Sequence, residues 1–357
     1  MTERKMASIR RINNIDPIQN ADAIELATVD GWKVVIRKGE YTIGDLAIYC
    51  EIDSWIPHAI APFLSKGSNP RLYDNVEGER LRTVKLRGQL SQGLLLPLSV
   101  LGNNPESLTV GIDVAEQLNI QKYEPPISAE LAGLAKGTFP RFIKKTDQER
   151  CQNLGHEIFV DNKDAEYEVT LKMDGTSFTA YFDDNDNDGP GVDGVCSRNL
   201  ELKIHEIENH NSFVLMYIES GMQAVLRKLR RNCAIQGEML GAGIQGNKEG
   251  FKSTKLFVFN IYDTDNQCDM SPKQRHDIME QMWGLGLNKD MVHHVPVIAH
   301  TAKLYDTLGI TNMEELLKFA EGPSLNALVR EGLVYKRIDG AFSFKTISNV
   351  FLLKEKD

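Results

Sequence analysis

The run Glu124-Pro125-Pro126 divides this chain into two stretches with different hydrophobic patterns. Proline fixes its own φ and pushes the residue before it to extended backbone, so a Glu-Pro-Pro run ends any regular element. Ahead of it stand short β-like runs broken by turn residues: Trp32–Arg37, Leu46–Cys50, Leu81–Arg87 and Gly93–Pro97. In Leu81–Arg87, alternation sets Val84 and Leu86 on one face and Thr83, Lys85 and Arg87 on the other. That pattern predicts a half-buried strand with a basic outer face. Several short strands joined by glycine-rich turns suit a small β-barrel.

Beyond the prolines the pattern mixes helix and strand. Thr146-Asp147-Gln148-Glu149 reads as a capping box opening a short helix that carries Arg150, Gln152 and Asn153. Glu166–Lys172 reads as a strand with Phe178–Phe182 as its partner. Residues 210–231 read as one long helix whose apolar side carries Phe213, Val214, Met216, Tyr217 and Leu226. Leu256–Tyr262 is a buried strand, Ser271-Pro272 opens a helix, and Thr311 with Glu314 caps another. Two strands follow, Gly332–Lys336 and Ala341–Thr346, joined by a turn at Asp339-Gly340. At 357 residues, two domains are expected. The partition is a β module over 1–122, a linker over 123–139, and an α+β domain over 140–357 with mainly antiparallel strands.

Composition excludes several classes. The chain is 41% hydrophobic and 25% charged, with a mean hydropathy of -0.31. It has no apolar run of membrane-crossing length and no signal-peptide core near Met1, so a soluble, cytoplasmic protein is expected. The 5 cysteines are scattered, odd in number and free of any C-x-x-C pair, which argues against a disulfide framework or a zinc site. A net charge of -9 argues against a generic nucleic-acid coat, yet binding depends on local patches. Arg80, Arg82, Lys85 and Arg87 form one basic cluster, and Arg141, Lys144, Lys145 and Arg150 another. A third, Arg227, Lys228, Arg230 and Arg231, suits a helix C-terminus on a solvated face.

Lys172 is the leading candidate for chemistry. It ends a strand and precedes Asp174-Gly175, a tight turn that leaves its amine at the lip of a cleft. To attack phosphorus the amine must be neutral. Lowering its pKa from about 10.4 to about 7–8 takes roughly 4 kcal/mol from burial and neighbouring cations. Lys336 and Lys345 lie on strands suited to supply that charge. Glu238 and Glu331, each beside a glycine that permits close approach, suit a hydrated Mg²⁺. Alone, K-x-D-G is weak, and an ordinary hairpin turn fits it better.

The ordered set is stronger. Lys172-Met173-Asp174-Gly175, Ser197-Arg198-Asn199, Gly237-Glu238-Met239, Phe257-Val258-Phe259, Glu331 to Lys336 and Phe344-Lys345 follow one another along the chain. In this order they resemble the motifs of the covalent nucleotidyltransferases, the superfamily of RNA ligases, DNA ligases and mRNA capping enzymes. The resemblance covers residue 140 onward. It is nearest to RNA ligases carrying an OB-fold module at the N-terminus. In that branch a Thr-Asp-x-x-Arg-x-Gln-Asn segment, here Thr146 to Asn153, precedes the lysine. The stretch Leu86 to Gly93 is similar to that branch's N-terminal module. An OB-like barrel suits the β pattern, as does a barrel of unrelated role.

The resemblance implies an ATP-dependent enzyme joining 3′-OH and 5′-phosphate RNA ends through lysyl-AMP and adenylylated-RNA intermediates. It implies Mg²⁺ or Mn²⁺ as cofactor, RNA or an RNA-containing nicked duplex as partner, and a monomer without an obligate protein partner. Lys172 matches the nucleophile, Glu238 the position serving the ribose or metal waters, and Glu331 the acid beside the metal. Lys336 and Lys345 match the cations on the α-phosphate, and Phe259 the aromatic stacked on adenine. Arg150, Thr170, Leu171, Asp174 and Gly175 complete the ATP site. Arg198 matches a residue that handles the 5′-phosphate end, and Arg82, Lys85 and Arg87 are the expected nucleic-acid contacts.

This sequence departs from the pattern at three places. Leu171 stands where many RNA ligases have an acid, Asn260 where some have Asp, and Ile347 where some have a second lysine. Alternation also sets Glu331 and Lys336 on opposite faces, so one of them is expected at a bend or outside the strand. By default Phe259 is a core residue and Arg198 a surface ion-pair partner. A DNA ligase or capping-type enzyme is the alternative within the class, disfavoured by how few residues follow Lys345. A non-catalytic end-binding protein is the alternative outside it. Asp184 to Gly189 imitates the start of an EF-hand loop, but Val195 stands where the bidentate acid is required, so a polar hairpin loop is expected. His293-His294 has no accompanying ligand set in the sequence.

Overall fold

The computed structural model describes residues 4–67, 69–102, 109–184, 191–204 and 211–354. Two compact units emerge, Met1–Pro126 with Gln152–Gly155, and Ile127–Cys151 with His156–Lys356. No helix among the described residues is long and apolar enough to cross a membrane.

The first unit is built from short antiparallel strands around two apolar clusters. Strand Leu46–Cys50 explains both at once, since alternation sends Ile48 and Cys50 into one cluster and Ala47 and Tyr49 into the other. Trp32–Arg37 forms as expected, with Trp32, Val34 and Ile36 inward. Leu81–Arg87 does not form one half-buried strand. Val76–Arg80 is a strand, and Val84–Leu86 pairs with Gln89–Ser91 in a hairpin turned at Arg87-Gly88. Both turn residues have positive φ, 48° and 85°, the twist two-residue hairpins prefer. Val84 and Leu86 are 43% and 44% exposed, so the alternation marks a projecting ribbon with no core beneath it.

The second unit has two sheets. Among the described residues, the larger has eight strands and runs from Ala135–Thr138 through Leu200–Leu202, Val192–Cys196, Thr176–Asp183, Cys233–Leu240 and Lys255–Asp263 to Cys268–Asp269, with Val292–His294 parallel to Lys255–Asp263. Helices Ser212–Glu219, Met222–Leu229 and Pro272–Gly284 supply the apolar side chains that cover one face, with Phe178, Phe182, Ile235, Val258 and Ile261 in the shared core. The smaller sheet orders Glu149–Arg150, Ser343–Ile347, Gly332–Arg337, Glu166–Lys172 and Val297–Lys303.

Several local expectations yield to tertiary pairing. Glu166–Lys172 and Thr176–Asp183 are not partners, because the chain crosses from the smaller sheet to the larger between them. The 146–149 capping box opens no α-helix, and the short helix expected after it is a single 3-10 turn, Cys151–Asn153, which carries Gln152 and Asn153 but not Arg150. Glu149–Arg150 instead pairs in parallel with Phe344–Lys345, and a ladder to a fixed strand outweighs a weak local helix signal. The expected long helix breaks at Ser220-Gly221, where Gly221 has φ 78°. Asn312, one residue beyond Thr311, is the cap of Met313–Phe319, accepting from Glu315 N. The 123–139 stretch is structured in its second half, with helix Ala129–Gly133 and a strand in the large sheet. Residues 185–190 of the EF-hand-like stretch lie outside the described residues.

Candidate active site

Cross-strand register explains why the motif residues meet. On the smaller sheet Lys172 lies opposite Gly332, Thr170 opposite Val334, and Glu168 opposite Lys336. On the next strand Val334 faces Lys345, which faces Arg150. Directly opposed residues share a face. Lys172, Thr170, Lys345, Lys336 and Arg150 therefore line one side, while Tyr167, Leu171, Leu333, Tyr335 and Phe344 fill the apolar other side. Leu171 is buried on the far side, so its side chain takes no part in this face. Gly332 makes the row possible, since a Cβ there would lie 2.0 Å from the Thr346 carbonyl oxygen.

The larger sheet turns its helix-free face to this one. Ser177 pairs with Glu238, Glu238 with Phe257, and Gln236 with Asn260. Between the last two pairs Phe259 is an extra residue, a β-bulge. The bulge re-aims the strand and leaves Phe259 only half-buried, while Phe257, opposite Glu238, is 5% exposed. Gly175 sits where the chain changes sheets. A Cβ on it would lie 2.4 Å from the Met239 carbonyl, and its N–H donates to Glu238 Oε1 at 3.1 Å.

At the lip, Lys172 Nζ lies 2.7 Å from Glu331 Oε1. Glu331 stands just before its strand, its carbonyl accepting from Ser348 N at 2.8 Å, which brings it round to the lysine's side. Burial pulls the Lys172 pKa down, but Glu331, Glu238 and Asp174 outweigh it, and the net shift is upward. The expectation that Lys336 and Lys345 depress this amine is therefore corrected. Without nucleotide the lysine faces carboxylates and stays protonated. Burial raises Glu238 to about 7 and raises Glu331 as well, against the pull of Lys172.

These acids suit a divalent cation. Glu331 Oε2 is buried with no hydrogen-bond partner among the described residues, and Glu331, Glu238 and Asp174 all act on Lys172, oxygen donors of the kind that Mg²⁺ and Mn²⁺ prefer. Lys345 acts on Glu331 electrostatically and donates to Asp147 Oδ1 at 2.8 Å. Arg198, half-exposed, lies 3.9 Å from the other oxygen of Asp147. Arg150 is 6% exposed in the Lys345 row. Lys336 is separated from this group, donating to Asn260 Oδ1 at 2.5 Å. Arg82, Lys85 and Arg87 belong to the first unit, Lys85 and Arg87 on its exposed hairpin.

Sequence reasoning missed the residues that hold the lip in place. Lys248 pairs with Asp174 at 2.6 Å. Its neighbour Glu249 accepts from Asn326 N at 2.6 Å, Ala327 N at 3.1 Å and the Ser324 hydroxyl, clamping the segment that leads into Glu331. Only their glycine-rich surroundings, Gly246 to Gly250, marked them. A buried pair, Arg275 with Glu168 at 2.9 Å, was also missed. Glu168, His276 and His300 cluster within ligand distance. The Arg275 guanidinium, 3.0 Å from Glu168 and 3.2 Å from His276, already neutralises that cluster and opposes a cation there.

Comparison with known proteins agrees with this geometry. A family model described as an OB-fold domain matches residues 6–98, and one described as RNA ligase matches residues 165–351. A ligand-free mutant of Naegleria gruberi RNA ligase is 43% identical, with 99% of this chain and 98% of that one covered and a TM-score of 0.86. Another mutant of that ligase, with AMP and Mn, is 44% identical over 99% and 100% of the two chains, TM-score 0.87. The same ligase with pyrophosphate is 44% identical over 98% of each, TM-score 0.85. No curated protein matches.

Proposed function

This chain belongs to the RNA ligase family, and on that premise we propose that Lys172 is the nucleophile of an ATP-dependent ligation carried out in three nucleotidyl transfers. The observation that carries the reading is the convergence of Lys172, Glu331, Glu238 and Asp174 at the crossing between the sheets. A related ligase has structures with ATP and Mn and with AMP and Mn, and the oxygen set at the lip supports the same requirement here.

Lys172 Nζ attacks the α-phosphorus of ATP. An N–P bond forms, the bond to the pyrophosphate oxygen breaks, and the amine loses its proton. A 5′-phosphate oxygen of RNA then takes the AMP from Lys172. Finally a 3′-OH attacks the activated 5′-phosphorus and AMP leaves. Glu238 and Glu331 would hold a divalent cation, which supplies charge to the α-phosphate and draws away the carboxylates that keep Lys172 protonated. Lys345, in the row behind, is placed to offset charge on the transferring phosphorus, where electrostatic stabilisation has most effect. Phe259, freed from the core by its bulge, offers a face for the base. Arg198 at the rim suits the 5′-phosphate end. The hairpin bearing Lys85 and Arg87, with Arg82 at its base, suits the phosphate backbone of RNA.

The deciding experiment is transfer of label from α-phosphate-labelled ATP to the protein. Wild type becomes labelled and Lys172→Ala does not. Labelling that persists in Lys172→Ala overturns the covalent reading. Sealing of nicked duplexes with RNA or DNA at each terminus then identifies the preferred substrate.

A further inference from the structure

Two consecutive residues that the three transfers do not use, Lys248 and Glu249, grip the segments on either side of the lip. They lie in the loop that begins at Gly241, just after the strand bearing Glu238. Lys248 Nζ pairs with Asp174, two residues past the nucleophile, and stands 4.2 Å from the centre of the Phe351 ring. Phe351 belongs to the helix Asn349–Lys354, and Ser348, just ahead of that helix, donates its N–H to the Glu331 carbonyl. Glu249, 7% exposed, accepts with its carboxylate from Asn326 N, Ala327 N and the Ser324 hydroxyl. Its backbone carbonyl accepts from Asn326 Nδ2 at 3.2 Å.

Both partners of these grips are themselves fixed. Asn247 closes the gripping loop, with Nδ2 donating to the Phe251 carbonyl at 2.9 Å and Oδ1 accepting from Phe251 N at 3.0 Å. A Cβ on Gly241 would lie 2.9 Å from Thr254 Cα, so the two ends of the loop pack together. On the gripped side, Ser324 N donates to the Ala327 carbonyl at 2.8 Å and makes a turn. Arg330, 9% exposed, donates to the carbonyls of Phe319, Ala320 and Glu321 at the end of the helix Met313–Phe319. The segment that delivers Glu331 is thus held at the turn, at Arg330 and at the Glu331 carbonyl.

Stability alone gives little reason for such a brace. A half-exposed ion pair such as Lys248 with Asp174 adds little to folding, and the hydrogen bonds of Glu249 mainly offset the cost of burying its charge. What the arrangement supplies is fixed geometry around the Lys172 amine. Resting on the reading of Lys172 as nucleophile, we infer that Lys248 and Glu249 are positioning residues for adenylyl transfer. Lys248 acts through Asp174 and Glu249 through Glu331, and together they fix the spacing of these acids about the amine. Neither has to touch ATP.

The test is single-turnover labelling of the full-length protein by α-phosphate-labelled ATP, with hydrogen exchange measured on the ligand-free protein. Glu249→Ala should lower the labelling rate at saturating ATP about 10- to 100-fold, the cost of displacing a reacting group by about 1 Å. It should also speed exchange at the Asn326 and Ala327 amides. Glu249→Gln should recover most of the rate, because its oxygen can accept from those amides while its NH₂ donates to the Ser324 hydroxyl. Lys248→Met should lower the rate about tenfold. A positioning residue acts only through its partner, so Glu249→Ala should cost nothing further in Glu331→Ala, nor Lys248→Met in Asp174→Ala. A fold merely weakened would lose the same factor in either background. The inference is wrong if Glu249→Ala labels at the wild-type rate, if its two amides exchange as before, or if the losses repeat in full without the partner acids. It is equally wrong if Glu249→Gln is as slow as Glu249→Ala, since the charge and not the clamp would then matter. Should Glu249→Ala fail to fold, the half-exposed Lys248 decides: labelling of Lys248→Met at the wild-type rate, or a loss that repeats in Asp174→Ala, overturns the brace. Failure of wild type to label at all with ATP is a separate result, which overturns the parent reading.

Discussion

Two lysines on one sheet face, Lys172 at the lip of the cleft and Lys336 on its floor, have opposite surroundings. Lys172 is paired with Glu331 and feels Glu238 and Asp174, and its pKa moves up despite burial. Lys336 has an amide for a partner, and burial lowers it to about 8, with Arg275 and Lys144 adding to the fall and Asp269 and Glu168 opposing it. Lys172 is therefore held charged until its carboxylates are drawn elsewhere, whereas Lys336 stays a donor in either protonation state. Both lysines belong to motif strands, yet their partners separate their chemistry.

The sharpest way to break this contrast is to remove the acids of the lip. Glu331→Ala or Glu238→Ala should lower the rate of Lys172 labelling by ATP about 10²- to 10³-fold, the usual loss when one electrostatic stabiliser is deleted. Retention of a tenth of the activity in either variant would mean the acids are not part of the machinery. Glu331→Gln tests the lip without nucleotide. It removes the largest influence raising the Lys172 pKa, so the midpoint for acylation of that amine should move to lower pH. A midpoint unmoved or raised contradicts the pairing seen here.

Gly332→Ala probes the backbone beneath both lysines. Its Cβ would meet the Thr346 carbonyl at 2.0 Å, so the strands must part. A loss of about 1–3 kcal/mol and a melting temperature lower by several degrees are expected in thermal unfolding. The smallest effect concerns the exposed hairpin of the first unit. Lys85→Ala with Arg87→Ala should weaken RNA binding a few-fold and flatten the dependence of log affinity on log salt by about 2. An unaltered salt slope would remove the hairpin from the RNA contacts.

Much of this was legible in the chain. The strands Trp32–Arg37 and Leu46–Cys50 declared themselves by alternation and by an apolar run, and Ser271-Pro272 declared its helix. Lys172, Glu238 and Glu331 were found by order along the sequence, and the glycines beside the two acids by the close approach they permit. What misled was local pattern read without its neighbours. The alternation of 81–87 had no core under it, the capping box lost to a ladder with Phe344–Lys345, and the strand after Lys172 joined a different sheet.

The sequence by itself determined the family, because the motifs that mark it rest on residue type and order. Only the tertiary structure decided the role that surroundings give each charge. Register set Lys336 four residues from the lip row, a bulge released Phe259 from the core, and a loop clamped by Glu249 carried Glu331 back to Lys172. A pKa depends on distance and burial, and these are fixed by strands far apart in the chain.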